Sequence, residues 1–380
     1  MMKLFFKIHL WLSVPFGIVI TLICFSGAML AFEPEMTRAL RSDVYYVTSS
    51  EGEPIDMGDI METVKATLPD SVSITGVTVF ADRDRTYQIN LSKPQRASLF
   101  VDQYSGKITG KYERIGFFTT MFRLHRWLLD SADPRGDGVK TGKLVVGIST
   151  LIFVIVLLTG MIVWLPRARK KFVHSLSISM RDGWNGLWRG LHVAGGMYAL
   201  VLLLAMSLTG LTWSFNWYRT AFYSLCGVVE AREQRHGDSR NGGDRASVML
   251  HGEDLRCSVF RQWQHVYDEL KMQNPYAPQI TVGVGTAVVG LGSSGNVRAS
   301  DRYEFNSRSG EISLKSGYAG AASSERLRGW IYSIHTGNFG GLLPRILWFL
   351  GALLGASLPL TGYYIWIRRL YTRKCNVLRR

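Results

Sequence analysis

FFKIHLWLSVPFGIVITLICFSGAMLAF (residues 5–32) decides the fold. After Lys3 and Lys7 it runs from residue 8 to 32 without a charge. That exceeds the roughly 20 residues a helix needs to cross a hydrocarbon layer ~30 Å thick. Three further uncharged apolar runs occupy 144–165, 191–216 and 346–367. Four such runs define an integral membrane protein. The first is longer than a signal-peptide core of about 7–15 residues, and its end, AMLAFE (28–33), offers no A-x-A cleavage site. It is therefore expected to be a retained anchor.

The charge pattern gives an orientation. The 380 residues carry 44 Lys and Arg against 29 Asp and Glu, a net charge of +15. With four spans, the N-terminus, the 167–190 loop and the 368–380 tail share one side. That side holds fourteen basic residues and one acid, Asp182, a net +13. The positive-inside rule places it in the cytoplasm. The excess is a topology signal and excludes a nucleic-acid role, which needs cations on a folded basic surface. The expected division is transmembrane helix 1–32, external domain 33–142, helix 143–166, cytoplasmic loop 167–190, helix 191–216, external domain 217–344, helix 345–367 and cytoplasmic tail 368–380.

Of the four cysteines, Cys24 lies in a helix and Cys375 in the tail. Cys226 and Cys257 share the second external segment, where an oxidising compartment permits a disulfide or leaves both as thiols. No C-x-x-C-H occurs, so covalent haem attachment is excluded, and no zinc-type cysteine pair is present.

The chain repeats itself. His9 precedes Gly27 by 18 residues in FFKIHLWLS…SGAML, and His192 precedes Gly210 by 18 in WRGLHVAGG…LTGLTWSF. The second and fourth runs end LTGMIVWLPR (158–167) and LTGYYIWIRR (360–369), each with Trp four residues after the Gly. SLFVDQYSGKITG (98–110) and RYEFNSRSGEISL (302–314) both read as strand, polar Ser-Gly turn, strand. ITGVTVFADRDRTYQINL (74–91) and ITVGVGTAVVGL (280–291) supply earlier strands, and 54–69 reads as a helix with Ile60, Met61, Val64 and Leu68 on one face. A second histidine then precedes each returning helix, in FFTTMFRLHRWLLD (117–130) and LRGWIYSIHTGNFGG (327–341). An insertion around Pro134–Val139 accounts for the longer spacing in the first half.

Both units start and finish inside, so the fold class is an α-helical membrane protein of four transmembrane helices, duplicated from a helix–α+β domain–helix unit, with two small external α+β domains. Such a parallel repeat has a pseudo-two-fold along the membrane normal. It sets His9 opposite His192 near the cytoplasmic face, and His125 opposite His335 near the external face.

Histidine in a membrane is costly as a cation and, when neutral, needs a donor or a metal. A single histidine at such a depth is ordinarily a hydrogen-bonded anchor. Four of them in two symmetry-related pairs favour axial ligation of haem iron, since no carboxylate or thiolate stands nearby to complete a zinc site. Lys7 and Arg189 flank the first pair; Arg123, Arg126 and Arg345 flank the second and could bind propionates. Gly17, Gly27, Gly195, Gly196 and Gly210 would leave room for a ring edge, although such glycines ordinarily serve helix packing. Trp11, Trp127, Trp188 and Trp330 sit at the same levels, where tryptophan also forms interfacial belts. His174, His236, His251 and His265 lack repeat counterparts and are read as ordinary surface residues. No dinucleotide fingerprint is read after a strand, and the cytoplasmic parts are too short for a flavin or nicotinamide domain.

These motifs together resemble the PepSY-associated transmembrane family, also called iron-regulated membrane proteins, over nearly the whole chain. Within it the sequence is similar to inner-membrane ferric-siderophore reductases, ferrioxamine reductases among them. The resemblance implies two periplasmic PepSY-like domains, a bacterial inner-membrane location, and two b-type haems ligated by His9 with His192 and His125 with His335. It also implies one-electron reduction of siderophore-bound Fe(III), with release of Fe(II). The partners would be a ferric siderophore and a cytoplasmic or quinol electron donor, because the flavodoxin-like domain fused to some relatives is missing. A siderophore or metal transporter and a non-redox sensory protein are the competing readings. The Gly-rich 283–296 stretch and the polar 232–247 run depart from the usual domain pattern.

Overall fold

A computed structural model describes residues 2–94, 97–130, 141–180, 183–228, 260–292 and 295–378. In chain order the first elements are α1 (Met2–Leu30), α2 (Glu33–Leu40), α3 (Ser42–Tyr45), α4 (Met57–Thr67), β1 (Ile74–Phe80), β2 (Tyr87–Leu91), β3 (Ser98–Val101) and β4 (Ile108–Lys111). There follow α5 (Gly116–Trp127), α6 (Thr141–Ser175), α7 (Gly183–Gly190), a π-helical turn (Leu191–Gly195), α8 (Gly196–Ser214) and α9 (Asn216–Leu225). The chain continues with α10 (Trp263–Gln273), β5 (Gln279–Gly283), β6 (Thr286–Gly290), β7 (Ser300–Phe305), β8 (Ile312–Ser316), α11 (Ser323–Thr336) and α12 (Leu342–Leu378). They form two compact units, one from residues 1–33, 115–227 and 331–380, the other from 34–114 and 228–330.

The first unit is helical. Among the described residues four stretches are long and apolar enough to cross a membrane: Met2–Leu30, Thr141–Pro166, Gly183–Ser214 and Leu342–Thr372. In lipid every backbone N–H and C=O must be satisfied within the chain, which a helix does by itself. The protein is therefore a multi-pass membrane protein whose solvent is the bilayer. Ile20, Phe153, Leu157, Ala199, Leu200, Leu203 and Leu358 form the buried seam between α1, α6, α8 and α12. Two helices outrun the apolar runs of the sequence: α6 continues through Pro166 to Ser175, and α12 reaches Leu378. Hydropathy marks where lipid ends, whereas a helix stops only where its backbone is broken.

The second unit is α+β. Where the sequence suggests two separate small domains, the strands of both segments join one eight-stranded antiparallel sheet, ordered β4-β3-β2-β1-β5-β6-β7-β8. The join is β1 against β5, with Thr78 opposite Thr281 at its centre and their hydroxyls 2.9 Å apart. A four-strand meander with one apolar face has an open edge, and pairing β1 with β5 removes both such edges at once. Gly76 and Gly283 face each other there; a Cβ on Gly76 would come within 2.9 Å of the Val282 carbonyl oxygen, so only glycine fits. Met57, Ile60, Met61 and Val64 of α4 and Trp263, Val266 and Leu270 of α10 cover one face of the sheet over Val77, Ile89, Ile280, Val282 and Val289. Each such side chain contributes about 1.5–3 kcal/mol on full burial.

The two outer hairpins turn alike. Asp102 accepts from the Tyr104 N–H at 2.9 Å and Asn306 from the Arg308 N–H at 2.8 Å. Gly106 (φ 70°) and Gly310 (φ 76°) then take the left-handed conformation that glycine adopts without cost. The segment around Pro134–Val139, the 232–247 run, His236, His251 and Cys257 lie outside the described residues, the last with its Cys226 pairing. His174 and His265 are exposed.

Candidate functional site: two levels of clamped histidines

The helical unit brings four histidines together in two pairs. The His9 and His192 ring centres lie 6.3 Å apart with planes at 81°, and those of His125 and His335 lie 6.1 Å apart at 55°. All four are built into the bundle in the same way. The Nδ1–H of His9 donates to the Val156 carbonyl of α6 at 3.0 Å, and that of His192 to Leu358 of α12 at 3.0 Å. His125 donates to Ile23 of α1 and His335 to Met206 of α8, each at 2.9 Å.

Each accepting carbonyl stands four residues before a glycine: Gly160, Gly362, Gly27 and Gly210. In an α-helix the amide of that glycine already bonds the same carbonyl, leaving one oxygen lone pair, and the missing side chain lets an imidazole reach it. The fit is close. A Cβ at Gly27 would come within 2.9 Å of His125 Cε1, at Gly160 within 3.1 Å of His9, at Gly210 within 3.1 Å of His335 and at Gly362 within 3.3 Å of His192. Gly27 and Gly210 therefore accommodate the histidines themselves. Of the other glycines expected to clear space, Gly17 lies against the Tyr363 ring, and Gly195 and Gly196 against Leu354 and Leu358.

The residue before each glycine completes the platform. The Thr159 hydroxyl lies 3.3 Å from His9 Nδ1, Thr361 3.0 Å from His192 Nδ1, and Thr209 3.2 Å from His335 Nδ1. Each threonine donates its own proton to a carbonyl one turn back, Ile155, Ser357 and Ala205 respectively, so towards the histidine it can only accept. Ser26, the fourth member, is bonded to Leu22 and Ile23. These residues, with Gly160 and Gly362, escaped sequence reasoning as parts of the site. In the sequence alone the repeated LTG reads only as a mark of repetition.

With Nδ1 committed as donor, each ring leaves Nε2 as a free lone pair, the tautomer a metal ligand needs. For the two histidines outside the spans, burial lowers the pKa of His125, with Arg126 adding to it. Burial, then His125, brings His335 down to about 4, so both rings are neutral at neutral pH. Metal–imidazole bonds of about 2.0–2.1 Å, plus roughly 1.1 Å from nitrogen to ring centre, set trans imidazoles about 6.2–6.4 Å apart. The observed 6.3 and 6.1 Å match this spacing. Among the described residues no three His, Cys, Asp or Glu cluster closely enough to hold a bare ion. The residues present fit a metal that brings its own equatorial ligands, as haem iron does.

The two levels are well separated. His9 and the Gly27 beneath His125 stand 18 residues apart on α1, about 27 Å at 1.5 Å per residue, close to the hydrocarbon thickness. His192 sits in a π-helical turn, a departure from α geometry common at functional sites. Trp213, not singled out from the sequence, meets the His335 ring edge-on with centres 5.0 Å apart.

The flanking cations are less uniform. Lys7, Arg189, Arg123 and Arg126 are all exposed. Lys7 and Arg123 each stand two residues before their histidine, which puts them about 200° round the helix. Arg189 precedes His192 by three residues, close to a full turn. Arg126 lies over Phe122 and Trp127, at 5.3 and 5.2 Å, and Arg345 over Phe32 at 5.0 Å. GLGSSG (290–295) also has the G-x-G-x-x-G spacing and begins at the last residue of β6. There β6 pairs antiparallel with the next strand, β7, whereas a dinucleotide-binding unit needs parallel strands joined by a crossover helix.

Four apolar helices holding facing, carbonyl-clamped imidazoles at two depths define a polytopic membrane protein organised around half-buried histidine pairs. The chain belongs to the family described as PepSY-associated TM region, whose model matches residues 6–369. No curated protein matches it.

Proposed function

We propose that this protein is a haem-dependent ferric-siderophore reductase of the bacterial inner membrane. It would pass single electrons across the bilayer to siderophore-bound Fe(III) and release Fe(II). The observation that carries this reading is the double set of imidazole pairs with ring centres 6.3 and 6.1 Å apart, every Nδ1 committed to a carbonyl. Haem b bound at each pair would supply one-electron carriage at both ends of the helices.

The chain's own residues do the rest. The carbonyl clamps fix ring orientation and keep Nε2 directed at the ligand position. The apolar seam excludes water from the path between the levels. Arg189 and Lys7 at one end, with Arg123 and Arg126 at the other, are proposed partners for propionates. Siderophores hold Fe(III) through hard oxygen donors and bind the less charged Fe(II) far more weakly, so one electron frees the metal.

Duplication is supported by the mirrored strand order about β1–β5, by the matching Gly106 and Gly310 turns and by four Ser/Thr-Gly platforms. The net charge of +13 on the side of both termini supports their cytoplasmic placement, with the sheet unit in the periplasm. Electrons then enter from a cytoplasmic or quinol donor.

The test is spectroscopic. Purified full-length protein should show the sharp reduced bands of bis-histidine haem, at two haems per chain. After reduction by dithionite it should be reoxidised by ferric hydroxamate siderophore and not by ferric citrate. Colourless protein from cells with ample haem would overturn the reading and favour a transporter or sensor. Haem that ignores ferric siderophore would leave a membrane cytochrome of other purpose.

A further inference from the structure

The four histidine clamps are alike except in one respect. His9, His192 and His335 each direct Nδ1 at two acceptors, a carbonyl and a threonine hydroxyl, at 3.0 and 3.3 Å, 3.0 and 3.0 Å, and 2.9 and 3.2 Å. His125 has the Ile23 carbonyl at 2.9 Å as its single described acceptor; Ser26, at the threonine position, bonds Leu22 (2.6 Å) and Ile23 (3.1 Å) as the threonines bond their own turns, but makes no bond to His125. The His9–His192 pair thus has two threonine acceptors and the His125–His335 pair has one. All four hydroxyl residues are buried, with Thr159 and Thr209 at 5%, Thr361 at 2% and Ser26 at 0% exposure. Water does not level the difference.

A second acceptor on Nδ1–H draws the proton away from the ring and makes Nε2 a stronger electron donor. A stronger donor favours the more highly charged metal. Hydrogen bonding to the ligand is one of the few means a protein has of setting a haem potential. We propose that Thr159 and Thr361 are positioning residues that hold the His9–His192 centre at a lower reduction potential than the His125–His335 centre, which Thr209 supports alone. With haem held at both pairs, an electron entering at His9–His192 would pass downhill to His125–His335, the first centre being reoxidised as the second is reduced. The buried threonines give the path its direction. This inference rests on the haem reading above.

The experiment is a spectroelectrochemical titration of the purified, haem-loaded full chain, with His192→Ala and His335→Ala assigning the midpoints. Two one-electron midpoints are expected, the more negative lost in His192→Ala. Thr159→Val and Thr361→Val, nearly isosteric, should each move the more negative midpoint upward and leave the other in place. Thr209→Val should raise the more positive one. A purely structural role would not move one midpoint and leave the other in place. The inference is overturned if the more negative midpoint belongs to His125–His335, or if both threonine-to-valine variants titrate like the native protein. In those cases two haems are still seen, so the reductase reading stands. Protein without haem bands overturns both.

Discussion

Gly160 lies beneath the edge of the His9 imidazole, so close that a methyl group on it would come within 3.1 Å of Cε1. The same relation recurs three times, with His125 on Gly27, His335 on Gly210 and His192 on Gly362. The spacing orders the expected damage. Gly27→Ala, with 2.9 Å of room, should be the most disruptive, and Gly362→Ala, with 3.3 Å, the least. Overpacking costs about 1–3 kcal/mol, which corresponds to roughly five- to 150-fold weaker haem retention at the affected level. Haem per chain during washing in detergent measures it, and equal retention in all four variants would contradict the platform geometry.

His335→Ala should remove one haem of two and leave the His9–His192 signal intact, because the two levels are about 27 Å apart along α1. Pyridine haemochrome quantification against protein mass decides this. Loss of neither haem would show that His335 is no ligand.

The end of α5 should be improvable. Leu128 and Leu129 both adopt left-handed backbone, with φ of 50° and 64°, a conformation costing a residue with a Cβ roughly 1–2 kcal/mol. Leu129 is 45% exposed, so little packing is lost on its removal. Leu129→Gly is expected to stabilise the protein by about 0.5–1 kcal/mol. Gly142→Ala should do the reverse, since its methyl would overlap the Trp127 carbonyl oxygen at the start of α6. Thermal unfolding in detergent should rise for the first and fall for the second.

In the sheet, Gly76→Val should weaken the β1–β5 join by at least about 1–3 kcal/mol, because its Cβ meets backbone, which cannot rotate away. Hydrogen exchange should speed up in both β1 and β5, strands from different halves of the chain. Exchange that changes in β1 alone would contradict their pairing.

Much of this was legible in the residues. Uncharged apolar runs of 22 residues or more identify four membrane helices, since lipid tolerates nothing else, and the spacing of 18 from His to Gly in two helices singles out the histidines. The function of the glycines was not legible. A glycine in a membrane helix reads as a packing contact whichever side chain it faces, and the ring above Gly27 comes from His125, 98 residues away. The threonines were hidden for the same reason: a helical hydroxyl bonded to its own turn looks satisfied until a second element arrives. Nor could the strands announce that their two segments share a sheet, because alternation specifies a face and leaves the partner open.

The β1–β5 seam also fixes a sequence of events during synthesis. β1 ends at Phe80 and β5 begins at Gln279, a separation of about 200 residues that makes this pairing slow to form. Two spans, α6 and the α7–α8 stretch, lie between them in the chain and must be translated first. Until then the early meander has an unpaired strand edge, the kind of surface on which chains aggregate. A nascent polypeptide halted after α8 would carry that exposed edge, so the later half of the gene acts as a chaperone for the earlier.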